Sequence, residues 1–294
     1  MLTERNRQAV DVVSGLLTRK PVAFIGSGLT QPHYPSWTKL LEILGQELGI
    51  KLDESHSPMA QAQSFCTVNR DGYTAQLVKL FGTVPTTCRP GLRDLVKLDL
   101  SACVTTNFDY SIWRALRELG KDPEHWCYPD FQVSDCQHSQ TIFFLHGAVV
   151  GGKIADLDNF VLHDTAYRKA YISNGERPGL LLSFLYDLFK LHDILFVGYG
   201  ADRNEPMRFA LEYSLKRPIP DRRRVLLAPV SRSPEEKELM KAKFGVEVVE
   251  YDTIDEHHSG LDEIIAELNQ RRVIPPPGFT HKPFAGLDLK GVVP

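Results

Sequence analysis

The apolar positions of this chain fall into short continuous runs separated by stretches of helical period. Val22, Ala23, Phe24 and Ile25 form the first run, and residues 102–105, 141–145 and 194–197 form three more. Runs of this length, rich in branched and aromatic residues, are those of strands buried on both faces. Residues 225–230 and 246–250 predict two further strands. Between the runs the pattern changes to a period near 3.6. Residues 4–17 place Ala9, Val12, Val13, Leu16 and Leu17 on one side of a helix. Ser36 opens another, which carries Trp37, Leu40, Leu41, Leu44 and Leu48 and stops at Gly49.

Residues 51–100 predict several short helices broken at Pro58, Gly72, Gly82 and Pro90, with Leu92, Leu95 and Leu98 directed inward. Further helices are expected over 111–119, 179–191, from Glu205, over 234–244 and over 261–271. Residues 120–140 read as irregular. Residues 160–163 read as a short strand with Asp164 as the cap of the helix that follows, so an insert of helical character occupies about 150–192. Alternating strands and helices without internal repeats predict an α/β fold, a Rossmann-like and mostly parallel sheet covered by helices on both faces. Residues 1–272 would form that domain, and the proline- and glycine-rich residues 273–294 an extended tail.

Four of the runs end at conspicuous residues: Gly26-Ser27-Gly28 with Thr30, Thr106-Asn107-Phe108-Asp109, His146-Gly147, and Gly198-Tyr199-Gly200. In a parallel sheet all carboxyl ends lie on one edge, where open α/β folds bind their ligands. The four clusters therefore converge. A strand, a glycine turn and a helix can present backbone N–H groups to a phosphate, although the same turn also serves as a plain connection. Asn107 can orient a water or hold a ribose hydroxyl, Asp109 can accept from a carboxamide or a ribose, and His146 can act as a base near neutral pH. Gln31 stands where a dehydrogenase fingerprint has its third glycine. No acidic residue ends a strand about 20 residues later, which argues against hydride transfer.

Composition narrows the chemistry further. A net charge of −3 gives no global pull toward nucleic acid, and the Arg217 and Arg222–Arg224 cluster reads as a solvated turn. Five cysteines, odd in number and without a C-x-x-C pair, make neither a disulfide framework nor a zinc site of the usual spacing. No apolar stretch approaches the ~18 residues of a membrane span, and the N-terminus reads as a mixed amphipathic segment rather than a signal peptide. A cytoplasmic protein is expected.

With these pieces in order, the chain resembles a sirtuin (SIR2) domain, of the SIR2-like branch found in bacterial NAD-consuming defence proteins. Gly26-Ser27-Gly28-Leu29-Thr30 is similar to the family's glycine-rich loop, and Thr105-Thr106-Asn107-Phe108-Asp109 to its Thr-Gln-Asn-x-Asp motif. Leu145-His146-Gly147 matches its His-Gly, and 197–202 resembles the loop that meets the ribose and adenine, with Gly198, Tyr199 and Gly200 as contacts. Segments 161–167 and 257–262 also resemble recurring parts of this branch, so the similarity spans roughly residues 20–270.

The resemblance implies that Asn107 and His146 carry catalysis, that Gly26, Ser27, Gly28 and Thr30 surround the phosphates, and that Asp109 faces the nicotinamide end. It departs from the protein deacylases in two ways: residues 148–193 hold no cysteine for a zinc ribbon, so no zinc is expected, and Thr106 replaces Gln. The implied activity is hydrolysis of NAD+ to nicotinamide and ADP-ribose. The alternatives are an NAD-dependent deacylase or ADP-ribosyltransferase, and a non-catalytic module that binds NAD+ or ADP-ribose within a larger complex. Homo-oligomerisation and a separate regulatory partner, an ATPase or Argonaute-like protein by analogy, are expected, with no direct contact to nucleic acid or membrane.

Overall fold

The computed structural model describes residues 2–53, 55–83, 87–131, 141–172, 178–199, 205–216, 221–255 and 258–272. Helix α1 (Glu4–Leu17) is capped by Thr3, whose hydroxyl accepts from the Asn6 amide, and leads into strand β1 (Val22–Ile25). Helices α2 (Trp37–Leu48), α3 (Pro58–Val68), α4 (Arg70–Phe81) and α5 (Pro90–Leu95) separate β1 from β2 (Cys103–Thr105). Then come α6 (Ser111–Glu118), β3 (His125–Cys127), β4 (Ile142–Phe144) and a small hairpin of β5 (Val149–Val150) and β6 (Lys153–Ile154). Helices α7 (Asp164–Tyr171) and α8 (Leu180–Leu191) precede β7 (Ile194–Val197) and α9 (Glu205–Ser214). Strand β8 (Arg224–Pro229), α10 (Pro234–Phe244), β9 (Glu247–Tyr251) and α11 (Ser259–Arg272) follow.

Among the described residues seven strands form one parallel sheet in the order β3-β4-β2-β1-β7-β8-β9. The strands alternate their side chains between two cores, as the pleat requires. Ala23 and Ile25 face a cluster with α1, α5, α6 and α11, whereas Val22 and Phe24 face α8, α9 and α10. Both faces are thus covered, which is why the strands read as continuous apolar runs rather than as alternating ones. A third core binds α2, α3 and α4 to the β5–β6 hairpin and to Phe160 and Leu162, and Phe108 belongs to it.

The order of the strands decides where a ligand can enter. From β1 the chain proceeds to β2 on one side, and after β4 it crosses back to β7 on the other side of β1. The connections leaving β1 and β7 therefore diverge, which makes their carboxyl ends the topological switch point, the place where open α/β folds take ligands.

Several sequence expectations are corrected. Gly72 breaks no helix: the interruption is Asn69, whose Oδ1 caps α4 by accepting from the Gly72 amide at 2.9 Å. The supposedly irregular 120–140 contains edge strand β3, whose exposed His125 and Trp126 hide it from an apolar-run reading. Residues 160–163 are turns rather than a strand, apolar because Phe160, Val161 and Leu162 are buried. The cap of α7 is His163, whose Nδ1 accepts from the Ala166 amide at 3.2 Å, and Asp164 instead pairs with Arg168. The insert over 150–192 begins inside the hairpin, at the last residue of β5, and contains strand β6 before its helices. Residues 273–294 and Gly200 lie outside the described residues.

Candidate functional site

The glycine loop after β1 is built against the loop after β7. The Gly26 amide donates to the Val197 carbonyl at 2.9 Å and the Gly28 amide to the Gly198 carbonyl at 3.0 Å. A Cβ on Gly26 would lie 2.2 Å from the Gly198 oxygen, and one on Gly28 would lie 3.0 Å from the Gly198 Cα. Gly198 itself has φ +63°, a conformation that glycine adopts without a Cβ penalty. These glycines therefore let two backbones approach. The amides that the sequence pattern offers to a phosphate are, at Gly26 and Gly28, engaged by the neighbouring loop. Ser27 stands exposed at the crest of a single 3₁₀ turn, Ser27–Leu29, and Thr30 is buried behind it. The Tyr199 ring packs 4.7 Å from Phe24.

Arg89 holds the loop from below. Its guanidinium donates to the Gly28 carbonyl at 2.7 Å, to the Asp262 carboxylate at 3.0 Å and to the His258 carbonyl at 3.2 Å. Only 8 % of the Arg89 side chain is exposed, so this charge-assisted set ties the glycine loop to the start of α11.

Strand β2 delivers Asn107. Thr105 Oγ1 donates to the Ile25 carbonyl at 2.7 Å and accepts from the Asn107 amide at 3.0 Å, which links the ends of β1 and β2. The Asn107 side-chain nitrogen reaches Thr30 Oγ1 at 3.5 Å, the outer limit of a hydrogen bond. Phe108, next in line, turns away into the third core, where it stacks on Phe160 with ring centroids 4.4 Å apart. Burying such a ring is worth about 1.5–3 kcal/mol, which anchors the loop between two polar residues. Asp109 is buried, and its Oδ1 accepts from the Ser111 amide at 3.0 Å at the start of α6. Burial raises its carboxyl above the ordinary range, against hydrogen bonds from Ser111 and Thr30.

Strand β4 delivers His146. The Leu145 amide donates to the Thr105 carbonyl at 2.8 Å, so the ends of β2 and β4 are in register. The His146 carbonyl accepts from Val161 at 2.9 Å, its ring lies 6.3 Å from that of Phe108, and its Nε2 lies 2.8 Å from the Tyr171 hydroxyl. Burial pushes the imidazole down to about 3, so it is neutral at physiological pH.

The structure thus joins Gly26 and Gly28 to Gly198, Asn107 to Thr30, and His146 to Phe108. Asp109 it joins both to Thr30 and to the start of the helix that follows. Sequence reading missed Arg89, Phe108 and Tyr171. Of these, Phe108 alone carried a signal, as the one apolar residue inside a polar strand end. Among the described residues no group of three or more His, Cys, Asp or Glu side chains could hold a metal ion, and no helix is long and apolar enough to cross a membrane.

Comparison with known proteins identifies the family. A family model described as a SIR2-like domain matches residues 101–249, which include the Asn107, His146 and Gly198 loops. Two curated relatives are each named NAD(+) hydrolase ThsA. The one from Bacillus cereus (strain MSX-D12) is 24 % identical over 143 residues, 47 % of this chain and 30 % of the relative. The one from Acinetobacter baumannii (strain 532279) is 35 % identical over 103 residues, 33 % of this chain and 21 % of the relative. The chain therefore spans less than a third of the length of these curated relatives in the aligned regions.

Proposed function

This chain belongs to the SIR2-like domain family, and from that premise we propose that it hydrolyses NAD+ to nicotinamide and ADP-ribose. The observation that carries the reading is the placement of Asn107 and a buried His146 at the ends of the adjacent strands β2 and β4, on the edge that also holds the switch point. The names of the curated relatives support it.

The chemistry asks little of the protein. The bond between the ribose anomeric carbon and the pyridinium nitrogen breaks, and its electron pair leaves with neutral nicotinamide. No acid is needed, in contrast to ordinary glycoside hydrolysis. A water oxygen bonds to the oxocarbenium-like carbon and loses a proton. We assign Asn107 to hold that water and His146 to take its proton. A base held low by burial suffices, because the water becomes strongly acidic as its oxygen bonds to a cationic carbon. The neutral imidazole also sets no standing positive charge beside the developing cation. Ser27, Thr30 and Tyr199 are assigned to the phosphates and riboses, with Gly26, Gly28 and Gly198 forming the backbone seam that places them, and Asp109, bonded to Thr30, to the nicotinamide end. Positioning of this kind supplies up to about 7–11 kcal/mol in well-oriented cases.

We further assign the activity to a defence effector that depletes NAD+ once switched on by self-assembly or by a partner protein. The test is chromatographic product analysis on the protein, dilute and concentrated, with and without an acetyl-lysine peptide. Nicotinamide and ADP-ribose should form without peptide, and Asn107→Ala and His146→Ala should each lower turnover on the order of 10²–10⁴-fold while keeping the wild-type circular dichroism. Acetyl-ADP-ribose formed only with peptide would establish a deacylase instead. Tight NAD+ binding without product in either state would establish a binding module.

A further inference from the structure

Helix α7 ends on Tyr171, and its position is set from both ends. His163 caps the first turn, and Tyr167 packs on Tyr171 one turn later with ring centroids 4.7 Å apart. Tyr171 is only 2 % exposed, and its ring stands perpendicular to that of His146 at a centroid distance of 5.9 Å. That geometry aims the hydroxyl at the imidazole edge and gives the 2.8 Å contact with Nε2. A buried hydroxyl and a buried ring nitrogen that meet at this distance are each satisfied by the other, and removing either leaves its partner unpaired away from water.

We infer that Tyr171 is the positioning residue of His146: its hydroxyl pins Nε2, fixes the plane of the ring and leaves Nδ1 as the nitrogen that takes the proton. The proton-transfer half of this inference rests on the hydrolase reading, whereas the pairing does not. Two arrangements satisfy the contact, with the hydroxyl donating to Nε2 or with Nε2–H donating to the phenol oxygen. A base that works through Nδ1 requires the second, because the ring proton must then sit on Nε2. The proton from water passes to Nδ1 as the C–O bond forms, the imidazolium keeps donating through Nε2–H to Tyr171, and the extra proton returns to solvent after product leaves.

The choice of a phenol over a carboxylate follows from charge. A carboxylate at this position would favour the imidazolium and set a positive charge next to a carbon that becomes cationic. Burial keeps Tyr171 protonated and neutral, so it orients the ring without charging it. The partner of a catalytic imidazole decides which nitrogen is bare, and that is the property tyrosine supplies here.

The test combines nitrogen spectroscopy with kinetics on the full chain. In protein labelled with ¹⁵N-histidine, the His146 signals, identified by their loss in His146→Asn, should show a protonated, hydrogen-bonded Nε2 and a bare Nδ1. In Tyr171→Phe that pattern should give way to mixed tautomers, with kcat on NAD+ lower by about 10–100-fold and KM within about twofold. A wild-type ring proton on Nδ1 overturns the inference. So does a Tyr171→Phe protein with the wild-type nitrogen pattern and the wild-type kcat. If Tyr171→Phe does not fold, the wild-type spectrum alone decides the pairing. If the wild type hydrolyses no NAD+, the hydrolase reading falls while the spectrum still tests the contact.

Discussion

His146 owes its neutrality to burial, and this has a consequence for acid stability. An unfolded histidine titrates near 6.5, whereas the folded imidazole is held down to about 3. Between these values the unfolded chain binds the extra proton, so stability is fully present above pH 6.5 and falls as the pH drops toward 3, by about 1.4 kcal/mol per pH unit. From pH 7 to pH 5 this single group should remove about 2 kcal/mol. Asp109, raised by burial, acts with the opposite sign, and His163 and His192 are lowered by burial like His146. Comparison with His146→Asn isolates the one contribution. Urea titrations at the two pH values should show a smaller acid loss in the variant, and parallel losses in both proteins would refute the assignment.

At the scale of elements, two of the site's loops share a backbone seam. Gly26 has no room for a side chain because the Gly198 carbonyl occupies the place of its Cβ. Gly26→Ala must therefore push the loop after β7 away and break the Gly28 to Gly198 hydrogen bond. Overpacking of this kind costs about 1–3 kcal/mol. Gly28→Ala, whose nearest contacts are 3.0 Å away, should cost less. Denaturant unfolding orders the two, and equal stability of Gly26→Ala and wild type would show that the seam gives way freely. Loss of NAD+ binding in such a variant would report the seam as well as the phosphate contact. The same seam explains the buried Arg89: fixing the Gly28 carbonyl from below holds the 3₁₀ turn in place while α11 supplies the counter-charge.

At the scale of the whole molecule, three cores meet at one edge of one sheet. The two faces of the sheet hold the strands, and the third core, of α2 to α4 and the hairpin, grips Phe108 between Asn107 and Asp109. A ligand bound at the switch point should bridge elements from all three and so stabilise the fold as a unit. On the hydrolase reading, NAD+ or ADP-ribose at 100 times its Kd should add about 2.7 kcal/mol. This should appear as a rise of several degrees in Tm by scanning calorimetry, in His146→Ala as well as in wild type. A Tm independent of nucleotide concentration would exclude binding at the switch point.

Much of this architecture was readable from the chain itself, for a physical reason. Strands of a parallel sheet buried on both faces must be apolar throughout, so Val22–Ile25 and Ile194–Val197 announce themselves, and the residues that interrupt them mark one edge. A cap such as Ser36 is local chemistry and equally visible. Edge strand β3 was not readable, because a strand half open to solvent keeps polar residues. Nor was the strand order, which alone makes Gly28 and Gly198 neighbours across 170 residues of chain. Burial periodicity reports how deep a residue lies but not what lies against it. The sequence by itself therefore determined the strands buried on both faces, their polar ends and the family resemblance. Only the tertiary structure decided that Gly26 and Gly28 are there for a backbone contact, that Arg89 supports them, and that His146 meets a tyrosine, since each depends on surfaces brought together by long-range packing.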